Sequence, residues 1–296
     1  MKRLVLASLL LVSVSAPAAE PPLSTMAEPP LSTAAEPPLR AGVVPAAPPF
    51  VVRDKTGQVT GFSVELFRAI AARMKRGVVF TEAALPALQA ELAGGEVDVL
   101  PGPIAATPER SAAMLFTEGY LWSEDQFGTR AGAHLDALSD LRGKRLAVQD
   151  GTEYAEWADR NAARYGFIAA TQPTLSAVFD SVRTGLADVS LTDSAALLGA
   201  VTRPPHGGPA LSGALTLPET RTQLTIAVAE ENVDLRDEIE DALVCLKSDG
   251  TVARLSASWL GATPGAEDLE NLVVPGYGVP GLTGYDPKTR KIHCAT

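Results

Sequence analysis

The chain has 296 residues, 46% of them apolar, enough for one large or two ordinary domains with buried cores. Lys and Arg number 25 against 35 Asp and Glu, and the resulting −10 opposes binding to nucleic-acid phosphates or anionic lipid. Two cysteines exclude a dense disulfide scaffold, and three scattered histidines, His134, His206 and His293, offer no zinc-enzyme spacing, so neither metal nor cofactor is expected.

Lys2 and Arg3 precede a short apolar run, Leu4 to Val14, and then small residues through Ala19. This is the pattern of a cleavable secretory signal peptide over residues 1–19, and the run is too short to span a bilayer. The mature protein is therefore expected outside the cytoplasm. Glu-Pro-Pro-Leu then begins at Glu20, Glu28 and Glu36. Paired prolines remove backbone donors and favour an extended chain, so residues 20–38 read as a tether.

The body alternates strand and helix signals. Leu39 to Val44 is a short apolar run. Phe62, Leu66, Phe67, Ile70 and Met74 form one face of a helix that Gly61 opens. Val78 to Phe80 is strand-like, Leu85 to Leu92 helical, and Val97 to Leu100 a buried strand. Thr107-Pro108-Glu109-Arg110 has the form of a helix start, with Thr as N-cap and Pro next. Gln126 to Thr129 and Leu146 to Val148 read as strands. Asp150-Gly151-Thr152 leads into a helix through Trp157. A helix over Leu175 to Leu186, a strand at Val189 to Leu191 and a helix capped by Asp193 follow. Leu224 to Val228 is strand-like, and Asp234 caps a helix carrying Ile239, Leu243 and Leu246. The alternation predicts an α/β fold with mixed, mainly parallel sheets. Beyond Leu260 the Gly- and Pro-rich sequence predicts an ordered but irregular tail over 263–296.

The order of several stretches resembles bacterial extracellular solute-binding proteins of family 3, the polar amino acid class. They are Pro48-Pro49-Phe50, Gly61 to Leu66, Gly95 to Asp98, Thr107 to Arg110, Leu138 to Lys144, Val148 to Thr152, Gly185 to Asp193 and Asp249 to Gly261. The resemblance implies a two-lobed type II periplasmic-binding-protein fold. Lobe one would hold 39–126 plus 224–262 and lobe two 127–223, with a small-molecule ligand in the cleft between them. It further implies a monomer that delivers an amino acid or amino-acid-like solute to an ABC transporter permease. An enzyme of the periplasmic cyclohexadienyl dehydratase type, with Glu153 as its available acid, is the alternative on this scaffold, as is a sensor or chaperone module.

Carried over residue by residue, Arg110 grips a ligand carboxylate, for which a guanidinium offers two parallel donors. Its alternative is a surface arginine paired with Glu109 or Glu118. Asp193 accepts from the ligand ammonium, or only caps its helix. Thr152 meets the carboxylate, or likewise only caps. Phe50, Pro103 and Ala105 complete the expected lining, the latter two without the hydroxyls that relatives often use. Three departures stand out. Ala47 and Leu85 occupy the positions of an aromatic sandwich, and Glu153 replaces a second carboxylate-binding Thr. Glu153 is a ligand contact or a solvated acid favoured by the helix dipole. Export to an oxidising compartment would allow Cys245 to bond to Cys294 and pin the tail, against the alternative of a free buried Cys245.

Overall fold

The computed structural model describes residues 36–202, 208–217, 220–261, 263–290, 292 and 294. The expected signal peptide, and the tether up to Ala35, lie outside the described residues.

β1 (Leu39–Val43) leads to a small hairpin of β2 (Val52–Arg53) and β3 (Val59–Thr60). Gly61, at φ 124, turns the chain into α1 (Phe62–Arg73), a backbone conformation open to glycine but not to L side chains. The helix buries Phe62, Leu66, Phe67 and Ile70, the spacing read from the sequence. β4 (Val78–Glu82), α2 (Leu85–Gly94) and β5 (Val99–Ala105) follow. β5 begins two residues later than the expected strand and runs to Ala105. Thr107 does not open an α-helix. Its hydroxyl accepts from the amide of Arg110 at 3.3 Å, but the turn ends after Arg110–Ala112 as a 3-10 helix. The chain then enters β6 (Met114–Phe116) and β7 (Leu121–Ser123), which the sequence pattern did not reveal.

The second sheet contains β8 (Asp125–Arg130) and β9 (Arg145–Gln149). α3 (Glu153–Tyr165) runs two turns past Trp157, whose ring packs against Phe127, Tyr165 and Phe167. β10 (Ile168–Gln172), α4 (Leu175–Thr184), β11 (Val189–Asp193), α5 (Ser194–Thr202) and β12 (Leu211–Thr216) complete it. β13 (Thr222–Ala229) returns to the first sheet, and α6 (Val233–Ser248) and α7 (Thr251–Leu260) pack beside α1. Asn232, not Asp234, is the residue preceding α6, and Asp234 lies in its first turn.

Two mixed sheets thus form two lobes. One runs β4-β1-β5-β13-β6, with β7 also on β13, and the other β10-β9-β11-β8-β12. Parallel pairing is confined to β1 with β4 and β5, and β9 with β10 and β11, whereas every pairing of β8 and β13 is antiparallel. The expected predominance of parallel pairing therefore holds only within the βαβ units. The strands that return the chain between lobes enter in the opposite sense. Passage occurs between Ser123 and Asp125, and again between Thr216 and Thr222.

The tail docks on lobe one. Arg236, buried within α6, donates to the carbonyl of Gly284 at 2.8 Å, and Glu240 accepts from the amide of Gly278. Cys245 and Cys294 form a disulfide with Cα atoms 5.4 Å apart, inside the ordinary range. The bridge closes a loop with a sequence separation of 49, and such cross-links are worth roughly 2–4 kcal/mol. Native protein denatured without reductant should therefore show no titratable thiol. Cys294→Ser should lower unfolding stability by about 2–4 kcal/mol in a denaturant titration. Two titratable thiols would contradict the bridge.

Candidate functional site

Ligand crevices in open α/β sheets form beyond the carboxyl ends of the strands. The ends of β5, β9 and β11 converge here on one cavity of about 80 Å³ between the lobes. Pro103, Ala105 and Arg110 line it from lobe one, and Gln149, Thr152, Glu153 and Asp193 from lobe two. Ala47 and Leu85 line it as well, with Leu88, Leu100, Ile104 and Leu175 adding apolar wall. Phe50 does not line it. Its ring is fully buried in the core of lobe one, edge-on to Phe62 at 6.2 Å.

Arg110 enters from the 3-10 turn after β5. Its Nη1 donates to the carbonyl of Ala105 at 3.2 Å, and its Nη2 to Oε2 of Glu153 at 2.7 Å. Neither Glu109 nor Glu118 is its partner. Glu153 is the first residue of α3, so this ion pair crosses the cleft. It is joined by a backbone bond from the amide of Ser176 to the carbonyl of Ala46, 3.1 Å, which gives an orphan first-turn amide of α4 a partner in the other lobe. The lobes also meet where Pro86 lies against Gly151 and Pro49 against Gly199.

Asp193 caps α5, its Oδ1 accepting from the amide of Ala196 at 2.7 Å. Capping and cleft placement therefore coexist, because the cap occupies one oxygen, while Oδ2 has the Thr192 hydroxyl only at 3.5 Å. Thr152 precedes α3 but does not cap it. Its hydroxyl donates to the carbonyl of Gln149 at 2.7 Å, leaving the first-turn amides without a side-chain acceptor.

Two titratable residues at or beside the site were not singled out from the sequence. Tyr154 lines the cavity, and burial pushes its phenol well above the usual range. Asp125 stands opposite Asp193 in the antiparallel β8–β11 register, which puts both side chains on one face of the sheet. No local signal marks Asp125; only the strand pairing does. Burial, with the charge of Glu153 as a smaller contribution, lifts Asp193 to about 6. Burial, then Glu153 and Asp193, lifts Asp125 to about 7.

These shifts carry a sign. A carboxyl whose folded value is raised binds more protons in the native than in the unfolded state between the two values, so stability falls as pH rises through that window. The window runs from the ordinary 3.8 to about 6 and about 7. The melting midpoint of the ligand-free protein should thus be higher at pH 5 than at pH 7.5. Asp125→Asn should shrink that difference, as read by calorimetric scans at both pH values.

Three comparisons bear on the family and the fold. The profile described as "Bacterial extracellular solute-binding proteins, family 3" matches residues 39–262. The chain is similar to the L-cystine-binding protein TcyJ of Escherichia coli strain K12, 27% identical over 217 residues, 73% of this chain and 79% of that protein. It is similar to the ABC transporter arginine-binding protein 1 of the same strain, 25% identical over 218 residues, 74% of this chain and 88% of that one. Among solved structures, an ancestral arginine-binding protein bound to arginine is 27% identical with a TM-score of 0.69, covering 77% of this chain and 100% of its own.

Proposed function

The chain belongs to the bacterial extracellular solute-binding proteins of family 3, and we propose that it is exported by its N-terminal segment, captures a small ammonium-bearing solute in the interlobe cleft and delivers it, as a monomer, to the permease of an ABC importer. One observation carries this reading. Arg110 and Asp193, from opposite lobes, line a single cavity walled by apolar side chains. A ligand seated there touches both lobes, so it favours their closed arrangement by its contacts with each. Asp193 keeps an oxygen for an ammonium group while its other oxygen is fixed by α5. The relatives' names support the solute class, since those proteins are named for cystine and arginine. Binding is the role those names describe.

The test is a thermal-shift screen of the mature protein against amino acids, amines and small carboxylates. A ligand at 100 times its dissociation constant stabilises by about 2.7 kcal/mol, a readily measured shift. A shift with ammonium-bearing compounds and none with simple carboxylates supports the reading. No shift from any ammonium-bearing compound overturns it.

A further inference from the structure

The guanidinium of Arg110 already holds a carboxylate. Glu153 reaches it from the other lobe at 2.7 Å, and the other terminal nitrogen donates to the carbonyl of Ala105 at 3.2 Å. A ligand carboxylate seated on Arg110 either crowds against Glu153 on the same guanidinium, which places two like charges on one cation, or displaces it. The displaced acid would then stand in a cleft that also holds Asp193, with Asp125 beside it on the same sheet face. Among the described residues lining the cavity, Arg110 is the sole Lys or Arg. Exchange therefore trades one ion pair for an equivalent one and strands a carboxylate among like charges, which is unfavourable in a desolvated site. A cation without a carboxylate leaves the Arg110–Glu153 pair in place and supplies the charge that the remaining acids lack.

We propose that the cleft selects a small ammonium-bearing solute that has no carboxylate, with Glu153 serving as the built-in carboxylate that Arg110 holds as the lobes close. This rests on the cleft being the ligand site, and narrows the ligand class within it. Size agrees in direction: at about 80 Å³ the cavity is small, which favours a short amine over a bulkier solute. The wall formed by Leu85, Leu88, Leu100 and Leu175 suits an apolar stem behind the ammonium.

The experiment compares each amine with the amino acid that carries the same side chain: isopentylamine with L-leucine, and putrescine with L-ornithine. Calorimetric titration of the mature wild-type protein is expected to show at least one amine binding tenfold or more tightly than its amino acid. Glu153→Thr and Glu153→Gln, checked for folding by circular dichroism, are expected to shift that ratio at least tenfold toward the amino acid. Tighter binding of the amino acid by the wild type overturns the inference and leaves capture of an ammonium-bearing solute standing. An amine preference that neither variant alters overturns the role of Glu153. If neither pair binds and none of the common amino acids binds, the reading of the cleft fails along with the inference. Should both variants fail to fold, the wild-type ranking alone decides.

Discussion

Lys247→Met should destabilise the protein by roughly 3–5 kcal/mol, the range observed when one partner of a buried ion pair is removed. Lys247 lies in α6 with its side chain wholly shielded from solvent. Its Nζ is 2.7 Å from Oε1 of Glu118 and donates to the carbonyls of Gly119 at 2.6 Å and Leu272 at 2.9 Å. Methionine fills nearly the same volume, so cavity formation contributes little and the loss reports on the charge and on the two carbonyls that lose their donor. Glu118 would keep Arg290 at 3.1 Å and the Val274 amide at 3.0 Å, but would lose the partner on its other oxygen. Arg290 also pairs with Glu240, so a single disruption weakens the docking of the whole tail. Denaturant unfolding of Lys247→Met and of Lys247→Met with Glu118→Gln measures this. The double variant should recover part of the loss, because its remaining amide carries no unpaired charge. A loss under about 1 kcal/mol would show that solvent enters the cluster and replaces the lysine.

Segments whose signal is local were legible in the sequence. The Phe62, Leu66, Phe67, Ile70 stripe predicts α1, and Asp193 does cap the helix that follows it. β6 and β7 are only three residues each, too short to show a period. β10 begins at the exposed Ile168, and β12 is mostly half-buried, so neither has the apolar run that marked the inner strands. The Thr107-Pro108 signal predicts a helix where only a 3-10 turn forms, because cap chemistry is the same for both and nothing local tells how far the helix continues. At the site, Arg110, Thr152, Glu153 and Asp193 lie on one cavity, but what each touches depends on the other lobe. The partner of Arg110 is 43 residues away, and no spacing rule reaches that far. Phe50 shows the converse. Its neighbourhood matched the family pattern, yet an aromatic side chain beside a helix start satisfies a core as readily as a cleft, and here Phe62 takes it inward.

Asp193→Ala should weaken an ammonium-bearing ligand by about 30-fold to several thousand-fold. Truncating one side of a buried, hydrogen-bonded charge pair costs roughly 2–5 kcal/mol, and each 1.4 kcal/mol is tenfold in affinity. Asp193 is 9% exposed, so water replaces the lost oxygen poorly. The substitution also removes the α5 cap, a separate cost of about 1 kcal/mol to stability. Asp193→Asn separates the two effects, since the amide oxygen can still accept from Ala196 while the charge is gone. Its melting midpoint should not fall below that of the wild type, and at pH 7.5 should exceed it because the buried charge is gone, while its affinity falls almost as far as that of the alanine variant. Arg110→Ala provides the contrast. Removing the guanidinium abolishes the grip on a ligand carboxylate, so an amino acid should bind at least about 30-fold more weakly. A carboxylate-free amine keeps its contact with Asp193 and loses only the Arg110–Glu153 link across the cleft, so its affinity should change far less. Calorimetry on the three variants therefore reads the ligand class together with the site. Unchanged amine affinity in Asp193→Asn would show that the ammonium is held elsewhere, because no other contact in the cleft makes that binding depend on the charge at position 193.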